Sequence, residues 1–167
     1  EQPGQRASED FRQGTIDGAY WLRKPGPNCE VVIAYQGAVA PEAIAAAGIL
    51  GEHRRDVGVL AVTSADRLNA GWTAAQRARA AGDRSASSHI ETMLAGLPRD
   101  CTLVTVIDGH PATLAWLGAV AGHKTVSHGV EHFGQTGTIG DLYRHFGIDR
   151  DSLVHSAGGL TPGRRLR

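Results

Sequence analysis

The sequence predicts a three-layer α/β/α domain on a mostly parallel sheet of about five strands, with one antiparallel edge strand. Three observations carry that expectation. Apolar, β-branched runs alternate with helical patterns over short links, the order that right-handed βαβ crossovers produce. One run, VGVLAV at 57–62, is apolar throughout, as suits a strand covered on both faces. At 167 residues the chain can bury such a core without disulfides or a structural metal.

Taken in order, residues 1–15 are polar and contain Gly and Pro, and read as a linker from upstream domains. The domain itself is expected over 16–157. GAYWLRK (18–24) alternates aromatic and polar residues, PGPN supplies a turn, and EVVIAY (30–35) is β-branched, so the pair is expected to form a hairpin. PEAIAAAGILGEHRR (41–55) has Pro at a helix start, an early Glu, and cations at its end, where the helix dipole favours them. VGVLAV follows as a buried strand, then Ser64 and Asp66 as candidate caps of the helix 68–81. GDRSASS (82–88) breaks the pattern before a second helix, 88–97. TLVTVID (102–108) is a strand, HPATLAWLGAVAG (110–122) a helix with Pro near its first turn, and KTVSHGV (124–130) the last strand. Residues 158–167, ending PGRRLR, read as a flexible basic tail.

Composition excludes several functions. Lys and Arg total 17, as do Asp and Glu, so no net field recruits nucleic acid or an anionic membrane, and neither is an expected partner. The arginines of AAQRARAAGDR (74–84) read as a solvated helix face. Trp21, Trp72 and Trp116 are too few for a base-stacking platform and read as core or interface anchors. No apolar run approaches the roughly 20 residues of a membrane span, and the N-terminus lacks a signal core. Cys29 and Cys101, outside any C-x-x-C pair, read as reduced thiols of a cytoplasmic protein. The first residue is Glu rather than Met, which suggests a fragment or processed product.

HGVEH at 128–132 has the letters of a zinc-hydrolase motif. That chemistry needs both histidines one turn apart on a helix, with the glutamate beside them to activate water. Thr125, Val126 and Val130 are β-branched and Gly129 lies between the ligand candidates, so a helix is disfavoured. In an extended segment His128 and His132 would stand about 13 Å apart, too far to share an ion. Zinc held by His128, Glu131 and His132 therefore remains a remote alternative. Residues 138–147 are better specified: Thr138 and Asp141 form a capping-box-like start, Ile139, Leu142, Tyr143 and Phe146 one apolar stripe, and Gly147 a stop. The loop FGQTG before them reads as a turn that lacks the Lys and spacing of a phosphate loop. Asp108, at a strand end, reads as the cap of helix 110–122, and His110 as capping or solvent-facing.

The run EHFGQTGTIGDLYRHFGID (131–149) closely resembles the end of the C-terminal domain of the transketolase superfamily of thiamin diphosphate enzymes. GAYWLRK and VTSADRLNAGW (62–72) resemble most the homodimeric E1 component of pyruvate dehydrogenase, a 2-oxoacid dehydrogenase. The resemblance implies a transketolase C-terminal-like domain of a larger chain. It also implies that thiamin diphosphate and Mg are held by upstream domains, through a GDG motif, a later Asn and a distant glutamate. The nearest look-alikes here, GDR at 82–84 and IDGH at 107–110, do not fit, so no catalytic, cofactor or metal residue is expected in this chain. By the resemblance the parent decarboxylates a 2-oxo acid and acylates lipoyl groups of an E2 acyltransferase. This domain would assist homodimer assembly against the upstream domains. Its expected contact surface is the 128–138 loop, with His128, Glu131, His132 and Gln135. The same domain in a sugar-phosphate transketolase is the alternative parent.

Overall fold

The computed structural model describes residues 9–53, 56–132 and 134–159. The chain runs α1 (Glu9–Asp17), β1 (Ala19–Arg23), β2 (Val31–Gln36), a 3-10 turn (Gly37–Val39), α2 (Ala40–Glu52), β3 (Val57–Val62), α3 (Ala65–Ala80) and α4 (His89–Leu94). It continues through β4 (Thr102–Ile107), α5 (Ala112–Ala115), α6 (Leu117–Ala121), β5 (Thr125–His128), α7 (Ile139–Phe146) and α8 (Arg150–Gly159). The five strands form one sheet in the order β1-β3-β2-β4-β5, antiparallel at the β1 edge and parallel elsewhere. The mostly parallel α/β sheet with an antiparallel edge strand is the fold the residue pattern predicts.

The expected hairpin is not formed. β1 pairs antiparallel with β3, Tyr20 opposite Ala61 and Trp21 opposite Leu60, while β2 lies inside, parallel to β3 and β4. The physical reason is the apolarity of the strands. VVIA and VGVLAV are buried at every position, so each gains most with covered neighbours on both sides. AYWLR is the strand whose burial fades toward its end, and it takes the edge.

The sheet separates two cores. On one face Ile33, Tyr35, Val59 and Val104 pack with Ala43, Ala46 and Leu50 of α2 and Leu153 and Ala157 of α8. On the other, Val32, Ala34, Leu60 and Leu103 pack with Leu68, Ile90, Leu94, Leu114 and Leu117 of α3 to α6. The described part of the stretch read as a linker, residues 9–15, is helical and not a linker: it belongs to α1, which docks through Phe11, edge-on to Tyr20 at 4.5 Å, while residues 1–8 lie outside the described residues. The helix read over 110–122 is two short helices meeting at Trp116. Of the tail, only its first two positions, within α8, are described. No helix among the described residues is long and apolar enough to cross a membrane.

Candidate functional site

In an open parallel sheet, ligands gather where neighbouring strands send their crossovers in opposite directions. Here that point lies beyond the C-terminal ends of β2 and β4: the chain leaves β2 through α2 to β3, and leaves β4 through α5 and α6 to β5, on the other side and the other face. Asp108 stands at this mouth, and its carboxylate accepts the Ala38 N–H at 3.0 Å. Gly37, at φ 86°, makes the approach possible, because a Cβ there would overlap the Asp108 carboxylate. Asp108 thus caps the turn before α2 and not the helix after it. His110 takes that second role, its Nδ1 accepting the Ala112 N–H at 3.2 Å. The Tyr143 phenol at the same mouth is pushed above its usual range, first by burial and then by the Asp108 and Glu42 carboxylates. The negative charge of Asp108 and Glu42 near Tyr143 disfavours an anionic ligand beside that phenol.

The HGVEH segment begins as the last residue of β5 and leaves it as irregular loop. Gly129 is required by contact: a Cβ would overlap the Gly109 carbonyl and the Pro111 ring, and the next residue, Val130, donates its N–H to Gly109 O at 2.8 Å. The His128 ring is half-buried, with Nε2 at 2.9 Å from Ser156 Oγ. Burial holds its pKa below the usual imidazole value, opposed by a hydrogen bond to the Gly147 backbone and by the nearby Asp149 carboxylate. A cleft of about 360 Å³ brings His128, Glu131 and His132 together with His145 and Phe146. Glu131 and His132 are exposed; Gln135, also exposed, does not line the cleft. His145 and Ser156 have no signal in the sequence, since only the packing of α7 and α8 brings them beside β5. Among the described residues no three His, Cys, Asp or Glu side chains are grouped to hold a metal ion, and the segment lacks the helical turn a zinc site of this type uses.

The cofactor look-alikes are equally committed. Gly82 turns the chain at φ 106°, and Asp83 accepts Ser85 Oγ–H at 2.6 Å and Ser85 N–H at 3.0 Å, bonds that hold its pKa low. Among the described residues neither Asp83 nor Asp108 belongs to a group of three or more His, Cys, Asp or Glu side chains that could hold a metal ion. At the start of α7, Thr138 Oγ1 accepts the Asp141 N–H at 3.3 Å and donates to Asp141 Oδ2 at 2.6 Å. Arg144 adds an ion pair to the same carboxylate, so an internal anion already stands at this helix N-terminus.

The α7 stripe is divided. Tyr143 and Phe146 pack on the core, whereas Ile139 is 71% exposed beside the exposed 134–138 segment. Trp72 and Trp116 stack at 5.4 Å between ring centroids, half-buried on the opposite core, and Trp21 packs there as well.

A family model described as the transketolase-like TK C-terminal domain matches residues 18–149. No curated protein sequence matches the chain. Transketolase from Leishmania mexicana is similar in structure at 23% identity and a TM-score of 0.59, over 89% of this chain and 18% of that one. Transketolase from Campylobacter jejuni matches at 18% identity and a TM-score of 0.57, over 84% and 18%. A split-gene transketolase described as an inactive β4 tetramer matches at 14% identity and a TM-score of 0.59, over 89% of this chain and 44% of its own. At these identities the structural likeness shows the fold, and the chain spans less than a fifth of the two full-length transketolases.

Proposed function

The chain belongs to the transketolase-like C-terminal domain family, and from that membership we propose that it is the non-catalytic assembly domain of a thiamin-diphosphate-dependent enzyme. The observation that carries the reading is the committed sheet mouth. Asp108, at the position where such a fold places catalytic or ligand-binding groups, is spent on the Ala38 N–H, with Gly37 shaped around it. The surface offered outward is made, among the described residues, by Glu131, His132 and residues 134–139, where polar side chains, Gln135 among them, accompany the exposed Ile139. That is the composition of an interface rim around a small anchor.

In this reading thiamin diphosphate and Mg are held by other domains of the parent, and this domain stabilises their pairing into a homodimer in the cytoplasm. The parent is a 2-oxoacid dehydrogenase E1 that passes acyl groups to E2, the branch that GAYWLRK and VTSADRLNAGW resemble. A sugar-phosphate transketolase is the second reading, favoured by the three solved structures described above, each a transketolase. The test compares the parent polypeptide with and without residues 18–157. Removal is expected to weaken dimerisation in sedimentation experiments and to lower activity, while cofactor binding at high protein concentration persists. A truncated parent that stays dimeric and fully active would overturn the assembly role. Turnover of pyruvate with an artificial electron acceptor, against ketol transfer between sugar phosphates, separates the two parents.

A further inference from the structure

We infer that Cys29 and Cys101 are a reversible modification site, closing to an intrachain disulfide when the protein meets a peroxide. The two thiols are free and buried, 2% and 0% exposed, with their sulfurs 3.8 Å apart. Each precedes a central strand. β2 and β4 are parallel neighbours with Val31 opposite Thr102, and Thr102 donates its N–H to Glu30 O at 3.0 Å just beside the pair. The backbones therefore already lie at about the spacing of adjacent strands, which a disulfide spans without moving the sheet. Side-chain rotation has only to bring the sulfurs from 3.8 Å to bonding distance, about 2.05 Å.

The site has an approach and an asymmetry. A cleft of about 430 Å³, lined by Asn28, Cys29, Glu30, Pro98, Asp100 and Thr102, reaches Cys29 from the N-terminal end of the sheet, with Cys101 behind it. It shares no lining residue with the cleft beside His128. The Cys101 S–H points at Cys29 Sγ, and this hydrogen bond draws the Cys29 pKa down against the effect of burial. Cys101 is held protonated by the same bond, by burial and by the Asp100 and Asp56 carboxylates. Cys29, which lines the cleft, is thus the thiol placed to lose its proton and attack, and Cys101 the one placed to resolve.

The chemistry balances with a peroxide, ROOH, as oxidant. Cys29 S⁻ attacks the terminal peroxide oxygen; the S–O bond forms, the O–O bond breaks, and RO⁻ takes up the proton Cys29 released. Cys101 sulfur then attacks the sulfenic sulfur; the S–S bond forms, the S–O bond breaks, and hydroxide leaves with the Cys101 proton as water. Two thiols and ROOH become a disulfide, ROH and water, and a dithiol reductant reverses the change.

Hydrogen peroxide is added to the folded chain, and thiols are counted after denaturation alongside the intact mass. Both thiols are expected to vanish together with a loss of two hydrogens, and to return with dithiothreitol. In Cys101→Ala, Cys29 is expected to gain oxygen, and in Cys29→Ala the remaining thiol is expected to stay reduced. A wild-type chain that keeps both thiols under conditions that oxidise its denatured form would overturn the inference. So would one that gains oxygen on Cys29 while Cys101 stays free, or that links to a second chain. The wild-type mass alone decides the matter should a variant fail to fold.

Discussion

His128 is kept neutral by burial at a pH where the same ring, free in the unfolded chain, takes up a proton. Its folded pKa lies below the unfolded value near 6.5, so its contribution to stability is fully present above about pH 6.5. As pH falls below that value the unfolded state gains the proton first, and stability is lost until the folded pKa is passed. In urea unfolding, the wild-type midpoint is expected to fall below about pH 6.5 more steeply than that of His128→Asn. Parallel profiles would show that the ring does not titrate differently in the fold. Next to it, Gly129→Ala forces a methyl group against the Gly109 carbonyl and the Pro111 ring, with backbone on both sides of the contact. Overpacking of that kind costs about 1–3 kcal/mol, measurable as a lower urea midpoint with an unchanged slope. In the sequence HGVEH carries metal letters, and its glycine is the one letter there that the fold demands for steric reasons. Asp108 shows the converse limit. Its position at a strand end is legible, but its partner, Ala38, is 70 residues away and set by the pairing of β2 with β4.

Among elements, α4 depends most on its cap. Ser88 Oγ accepts the Glu91 N–H, Glu91 accepts the Ser88 N–H at 2.9 Å, and Arg79 of α3 clasps the same glutamate at 2.6 Å. A helix of six residues is too short to hold on propensity alone, so Ser88→Ala is expected to cost about 1 kcal/mol, read from thermal or urea unfolding. Arg79 and Glu91 are both partly exposed, so their pairing adds less than the cap itself. Legibility in the sequence follows burial. VGVLAV is readable at its observed bounds because an unbroken apolar run bounded by polar residues has few other uses. α1 is hidden because EDFRQGTID is mostly polar; its anchors are distant, Phe11 on Tyr20, Thr63 Oγ1 on Thr15 O at 2.8 Å, and Arg67 on Ile16 O at 3.0 Å. α8 is hidden for the same reason. RDSLVHSAGG has a weak helical pattern, yet Leu153 and Ala157 are fully buried and Glu42 of α2 accepts the Arg150 N–H at 2.7 Å. Tertiary contacts decide both helices, and a single sequence does not display them.

At the scale of the whole molecule, the hairpin that does not form exposes what β1 is for. β3 carries VGVLAV, buried along its entire length, and among the described residues its outer edge is covered by β1, through Ala19, Tyr20, Trp21 and Arg23. Without that cover, six apolar residues with no charge would present unpaired backbone groups to solvent, a template for strands of other molecules. A chain lacking residues 1–24 is therefore expected to aggregate, seen as rising light scattering and loss of soluble protein at a concentration where the full chain stays clear. Loss of core packing by itself must be separated from loss of the edge. Phe11→Ala removes the aromatic contact of α1 but leaves β1 in place, and is expected to lower stability by about 3–5 kcal/mol at most without increasing scattering. If the truncated chain remains clear and monodisperse with native circular dichroism, β1 is dispensable as an edge guard. If Phe11→Ala aggregates as readily, the protection lies in the packing of α1 and not in the paired strand.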